Sequence, residues 1–202
     1  MEAMATGSIA ILGWGSLLWE PNENFDAQHQ LWKCDGPKLK IEFSRISQKR
    51  DCALTLVIDA TNGKEVEVSY CLSNRTALVD AIKDLEDRED SHRIGFICAK
   101  SGLRCTRYKF VGSSIEKWAK SKSIEQVIWT DLESNFCEKK KTEFTVDGAI
   151  DHIKGLPKAG QEKAAMYVFC APSYVKTPLR DRLMKEQWFL NLKPALIINS
   201  PC

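Results

Sequence analysis

The sequence predicts an α+β fold, a β-rich body carrying one internal helix and followed by a helical C-terminal stretch. Three observations predict it. Short runs rich in β-branched and aromatic residues recur through the first two thirds of the chain. A single apolar stripe at helical spacing interrupts them at Leu78, Ile82 and Leu85. Beyond residue 144 the strand pattern gives way to helical segments broken by prolines. With 202 residues the chain is long enough to bury a core of its own. It reads as one domain, with a β-rich body over 1–143 and a helical extension over 144–202 packed on it.

The opening apolar run Ile9, Ala10, Ile11 and Leu12 predicts a buried strand, and Gly13-Trp14-Gly15-Ser16 predicts the loop that ends it. Strands are expected at 39–46, 52–58 and 65–72, with Asn62-Gly63 as a hairpin turn between the last two. A helix is expected over 75–89, with Ser73 and Asn74 as its candidate N-caps. Further strands are expected at 94–99, 106–111 and 126–131. Three helices follow at 145–156, 161–171 and 179–190, with breaks at Pro157, Pro172 and Pro178. Trp188 and Phe189 read as core anchors of the last one.

Charge and cysteine content exclude several function classes. Lys and Arg total 29 against 27 Asp and Glu, a net charge of +2 made of mixed signs, so no nucleic-acid partner is expected. Lys139-Lys140-Lys141 reads as a solvated loop. No apolar run reaches the length of a membrane span and no signal-peptide pattern opens the chain, so no membrane partner and a cytoplasmic location are expected. The eight cysteines form no Cys-x-x-Cys pair, and His29, His92 and His152 are isolated, so free thiols are expected rather than a metal site.

Two features carry chemistry. The loop Gly13-Trp14-Gly15-Ser16-Leu17-Leu18-Trp19 can bring backbone N–H groups and a hydroxyl close to an anion, since glycines permit φ > 0 and close approach. It is neither a dinucleotide fingerprint nor a Walker loop, because Leu18 occupies the third glycine position and no Gly-Lys-Ser/Thr follows. A plain glycine turn with two core tryptophans fits the same residues. The second feature is Glu89, the next member of the Leu78, Ile82, Leu85 stripe, while Asp80, Asp84 and Asp87 fall on the opposite side and Glu86 on the border. A carboxylate that follows a buried stripe is a candidate general base, because desolvation raises the proton affinity of such a group. Pairing with Arg88 or Arg93 is the structural alternative. Ser16 has no histidine in evident reach and reads as a binder rather than a nucleophile.

Together, Gly15-Ser16-Leu17, Trp19 and Pro21 after a strand, and Leu85-Glu86-Asp87-Arg88-Glu89 on a later helix, resemble the γ-glutamyl cyclotransferase-like superfamily over residues 8–131. That superfamily includes cytosolic γ-glutamyl cyclotransferases and the ChaC-type glutathione-specific enzymes. The resemblance implies a γ-glutamyl cyclotransferase-like mixed β-barrel/sheet, with Glu89 as catalytic acid/base and Trp14, Gly15, Ser16 and Leu17 as the substrate-binding loop. It implies a small-molecule γ-glutamyl substrate and no cofactor. A non-catalytic module that binds a small carboxylate is the alternative. The chain departs from the family at Trp14, where a tyrosine is usual, and at Asp90-Ser91-His92, where a glycine-rich continuation is usual in the ChaC branch.

Overall fold

The computed structural model describes residues 7–194. In chain order it contains β1 (Ile9–Gly13), a 3-10 turn (Ser16–Leu18), α1 (Glu23–Asp26), β2 (Lys38–Ser47), a second 3-10 turn (Gln48–Arg50), β3 (Ala53–Ile58), β4 (Lys64–Glu67) and β5 (Ser69–Leu72). Then come α2 (Leu78–Glu89), β6 (Ile94–Cys98), β7 (Arg104–Cys105), α3 (Lys109–Ser121), β8 (Gln126–Thr130), α4 (Phe136–Lys140), α5 (Val146–Lys154), α6 (Lys158–Cys170), α7 (Pro178–Leu183) and α8 (Gln187–Leu190). The class is α+β, and neither sheet closes into a barrel.

The chain divides into two compact units. The first comprises residues up to 13, 20–38 and 67–132. It is built on a five-stranded sheet of order β5-β1-β8-β6-β7. All five residues of β1 are buried, as a continuous apolar run between two partners requires. On one side Ile11 lies opposite Cys71 of antiparallel β5, and on the other opposite Ile128 of parallel β8. Helices α2 and α3 pack on β6 and β8. Asp131, just past β8, accepts hydrogen bonds from the Trp129 indole at 3.0 Å and the Arg107 N–H at 2.8 Å, which fixes the approach to α3.

The second unit comprises residues 14–19, 39–66 and 133 onward. Its sheet has the order β3-β2-β4. β2 runs ten residues and is irregular between Phe43 and Arg45, where its register against β3 shifts. Ser134 and Asn135 bind this part of β2. The Ser134 hydroxyl donates to the Ser44 carbonyl at 2.8 Å, while Asn135 accepts from the Ile46 N–H at 2.7 Å and donates to its carbonyl at 3.1 Å. Helices α5 and α6 pack on β3, and α7 packs on α5. Phe43, Leu54, Ile58, Phe136 and Phe189 are fully buried in this unit. Phe189 stacks on Phe169, the anchoring role expected for it.

Several expected elements differ. The run 65–72 is two strands in two sheets, because Val68 exchanges hydrogen bonds with Gly36 and Pro37 and leaves both ladders there. Asn62-Gly63 does form a turn, held by Asp59, whose carboxylate accepts the Thr61 and Asn62 N–H groups. The turn does not join a hairpin, since β4 pairs with β2 and not with β3. The stretch 106–111 is no strand. It leads into α3, whose Val111, Ile115 and Ala119 are buried at helical spacing. The last expected helix is two short ones, α7 and α8. Six described cysteines are free, and Cys34 is the exception, being disulfide-bonded. No helix among the described residues is long and apolar enough to cross a membrane.

Candidate functional site

The loop after β1 belongs to the second unit. Trp14 is buried, and Gly15 precedes the short turn Ser16–Leu18, in which the N–H groups of Leu18 and Trp19 bond back to the carbonyls of Gly15 and Ser16 at 3.0 and 3.3 Å. Leu17 and Leu18 bury their side chains, and Ser16 is half-exposed.

Gly15 is not in the left-handed region that the sequence reading allowed for, with φ −129°. Its need for glycine is steric. A Cβ at residue 15 would overlap the hydroxyl of Tyr167 from α6. Tyr167 also meets the edge of Trp19, ring centroids 5.7 Å apart, and the Arg50 guanidinium lies over both rings, 5.1 Å from that of Tyr167 and 5.8 Å from that of Trp19. The loop is therefore one wall of an aromatic cluster capped by a cation.

Glu89 belongs to the first unit and is the last residue of α2. The helix ends at Asp90, which takes the left-handed conformation and closes the turn onto the Glu86 carbonyl. The buried face of α2 is set by Ala81 and Leu85, and Arg88 continues it with its side chain only 10 % exposed. Leu78 and Ile82 are half-buried, so the core face is rotated from the expected stripe and Glu89, at 19 % side-chain exposure, lies at its edge. The Arg88 guanidinium donates to the Glu20 carbonyl at 2.9 Å and stands 3.7 Å from the Glu89 carboxylate. This arrangement holds a partly desolvated carboxylate in a defined place. The expected N-caps serve elsewhere, since Ser73 and Asn74 donate to the carbonyls of Gln28 and Ala27, while Ala77 precedes the helix.

The sequence reading passed over a second buried carboxylate. Glu42, in the middle of β2, is fully buried in the second unit. One oxygen accepts from its neighbour Phe43 N–H at 2.7 Å and from the Thr177 hydroxyl at 2.6 Å, and the other accepts from the Leu179 N–H at 3.2 Å. Burial pushes its pKa up to about 7 against these three donors, with Asp59 adding like-charge repulsion. Its donors are all groups of the protein, which makes Glu42 a clasp on the N-terminus of α7. The signal was present, because Ile41-Glu42-Phe43 places a carboxylate inside an apolar strand. No comparable signal pointed to Arg50 or Tyr167.

Among the described residues no grouping of His, Cys, Asp and Glu could hold a metal ion. Compared with protein-family models, curated proteins and solved structures, the chain gives no match.

Proposed function

We propose that this chain is a γ-glutamyl cyclotransferase-type enzyme, converting a γ-glutamyl amide to 5-oxoproline with release of an amine or amino acid. The reading rests on one observation above the others. A Gly15-Ser16-Leu17 turn follows an interior strand, and the later Glu89 matches the superfamily's catalytic carboxylate in motif order and stands partly desolvated at a helix end. In this reaction the substrate's own α-amine attacks its γ-carbonyl carbon and closes a five-membered lactam. Nucleophile and electrophile belong to one molecule, so the protein has chiefly to hold the reactive conformer. The N–H groups of the 15–17 loop would hold the α-carboxylate. Glu89 would take a proton from the α-ammonium and return it to the departing nitrogen as the C–N bond breaks. The reading carries with it the superfamily's γ-glutamyl cyclotransferase-like fold, a small-molecule partner and a cytoplasmic setting.

The test is incubation with glutathione, γ-glutamyl amino acids and γ-glutamyl-lysine amides, followed by mass spectrometry for 5-oxoproline. Glu89→Gln should abolish the product, and turnover that survives it removes Glu89 from the mechanism. One observation favours a second reading. The Arg88 guanidinium 3.7 Å from Glu89 is also what a purely structural carboxylate would have. A binding module would take up γ-glutamyl ligands in calorimetry with no 5-oxoproline formed.

A further inference from the structure

We infer that Arg50, Trp19 and Tyr167 form the charged half of a carboxylate subsite beside the Gly15-Ser16-Leu17 loop, and that the chain selects ligands bearing a free carboxylate. Four observations converge on this corner of the second unit. The first is the cation. The Arg50 guanidinium lies over the Tyr167 ring at 5.1 Å and the Trp19 ring at 5.8 Å. The guanidinium carries its N–H donors in a planar fork that matches a carboxylate. Five such donors let one guanidinium serve several acceptors together.

The second observation is a stranded donor. The indole Nε1 of Trp19 is buried, in a residue 8 % exposed, and has no hydrogen-bond partner. An indole N–H can only donate, so a buried one calls for an acceptor, and leaving it without one costs roughly 1–3 kcal/mol. A buried N–H donor that needs an acceptor, in a cluster that also carries a cation, favours an acceptor with negative charge. The third is the wall. Tyr167 packs so closely on Gly15 that no side chain fits there, which holds the loop backbone against the same cluster.

The fourth is how the Arg50 turn is built. Asp51 and Cys52, directly after it, both take positive φ, 50° and 63°, a costly choice for two consecutive residues that are not glycine. The neighbouring helices hold them there. Lys163 of α6 pairs with the Asp51 carboxylate at 2.7 Å, and His152 of α5 bonds the Cys52 carbonyl at 2.8 Å. On α6, Gly160 lets the Asp51 carbonyl approach so closely that a Cβ would come within 2.7 Å of it. A strained turn fixed from two helices keeps Arg50 in a set position.

The subsite deepens the cyclotransferase reading, and it rests on that reading for the identity of the carboxylate, the α-carboxylate of a γ-glutamyl group. The full chain would be titrated by calorimetry with γ-glutamyl-methylamide and with N-methyl-4-aminobutanamide, which differs only in lacking the α-carboxylate. We expect the first to bind and the second to bind at least tenfold more weakly. Arg50→Met should lower affinity for the first at least tenfold without altering the second. Arg50→Lys, which keeps the charge and the stacking stem, should recover part of the loss, and Trp19→Phe should cost several-fold. Far-ultraviolet dichroism and thermal melts establish that each variant is folded. The subsite is overturned if wild type binds neither amide, if it binds both alike, or if Arg50→Met binds as wild type does. Carboxylate-dependent binding through Arg50 with no 5-oxoproline formed sinks the cyclotransferase reading and leaves the subsite standing. Turnover with KM unchanged in Arg50→Met does the reverse.

Discussion

The Thr177 hydroxyl donates a 2.6 Å hydrogen bond to Glu42, tying the first turn of α7 to the middle of β2 through a carboxylate that has no exposure to solvent. Because Thr177 also accepts from the Arg180 N–H, it is both the helix N-cap and the strand's partner. Glu42 should make stability depend on pH. Its native pKa of about 7 lies above the ordinary value of 4.5, so between these values the native state binds more protons than the unfolded chain. The contribution is complete below pH 4.5 and is lost as pH rises through 7. It amounts to roughly 3 kcal/mol. Urea unfolding of wild type and Glu42→Gln at pH 4.5, 6 and 8 checks this, with wild type losing about 3 kcal/mol more than the variant across the range. A difference between the two proteins that stays constant with pH would show that Glu42 does not titrate in this window.

His152 should act with the opposite sign. Its Nε2 faces the Cys52 carbonyl at 2.8 Å, and since a carbonyl only accepts, Nε2 carries the proton and donates. Burial lowers the pKa of this imidazole below 6.5, with Lys140 pushing the same way. The neutral ring's contribution is therefore present above pH 6.5 and is lost as pH falls through the native value. An NMR titration of the imidazole should show a midpoint below 6.5. His152→Gln, which keeps an N–H donor without the titration, should lose less stability than wild type on acidification from pH 7 to 5.

Gly15 and Tyr167 should couple strongly. Adding a Cβ at residue 15 collides with the Tyr167 hydroxyl, and both residues sit in a packed cluster with little room to give. Gly15→Ala should cost about 1–3 kcal/mol in urea unfolding. Tyr167→Phe removes the colliding oxygen, so the double variant should recover at least half of that loss. Strict additivity of the two changes would mean that the loop relaxes away from α6 without resistance.

Much of the fold was legible because local pattern and final environment agreed. β1 is an uninterrupted apolar run and is buried on all sides, and α5 begins where Thr145 offers its cap. The misreadings have specific causes. Around Tyr108 and Val111, β-branched and aromatic residues spoke for a strand, although Val111, Ile115 and Ala119 already carried the helical period that burial selects. The split at Val68 could not be read locally, since its partners Gly36 and Pro37 are some thirty residues earlier. The same limit hid the aromatic cluster, in which Gly15, Arg50 and Tyr167 meet only through the packing of α6. Glu89 was singled out by its helical spacing, while the rotation that buries Arg88 beside it accompanies the packing of α2 on β6 and β8.

Arg88 should prove a positioning residue for Glu89 under the cyclotransferase reading. Its side chain is more buried than that of Glu89, it is anchored on the Glu20 carbonyl at 2.9 Å, and it holds the Glu89 carboxylate at 3.7 Å. A guanidinium can make both contacts in one plane, whereas an ammonium is a single point charge. Arg88→Lys should keep the charge and most of the packing yet loosen the carboxylate. The expected result is a fall in kcat for 5-oxoproline release of about tenfold, equivalent to roughly 1.4 kcal/mol of barrier. KM should change little, because the residue makes no proposed contact with substrate. A lower melting temperature with kcat unchanged would confine Arg88 to a structural role.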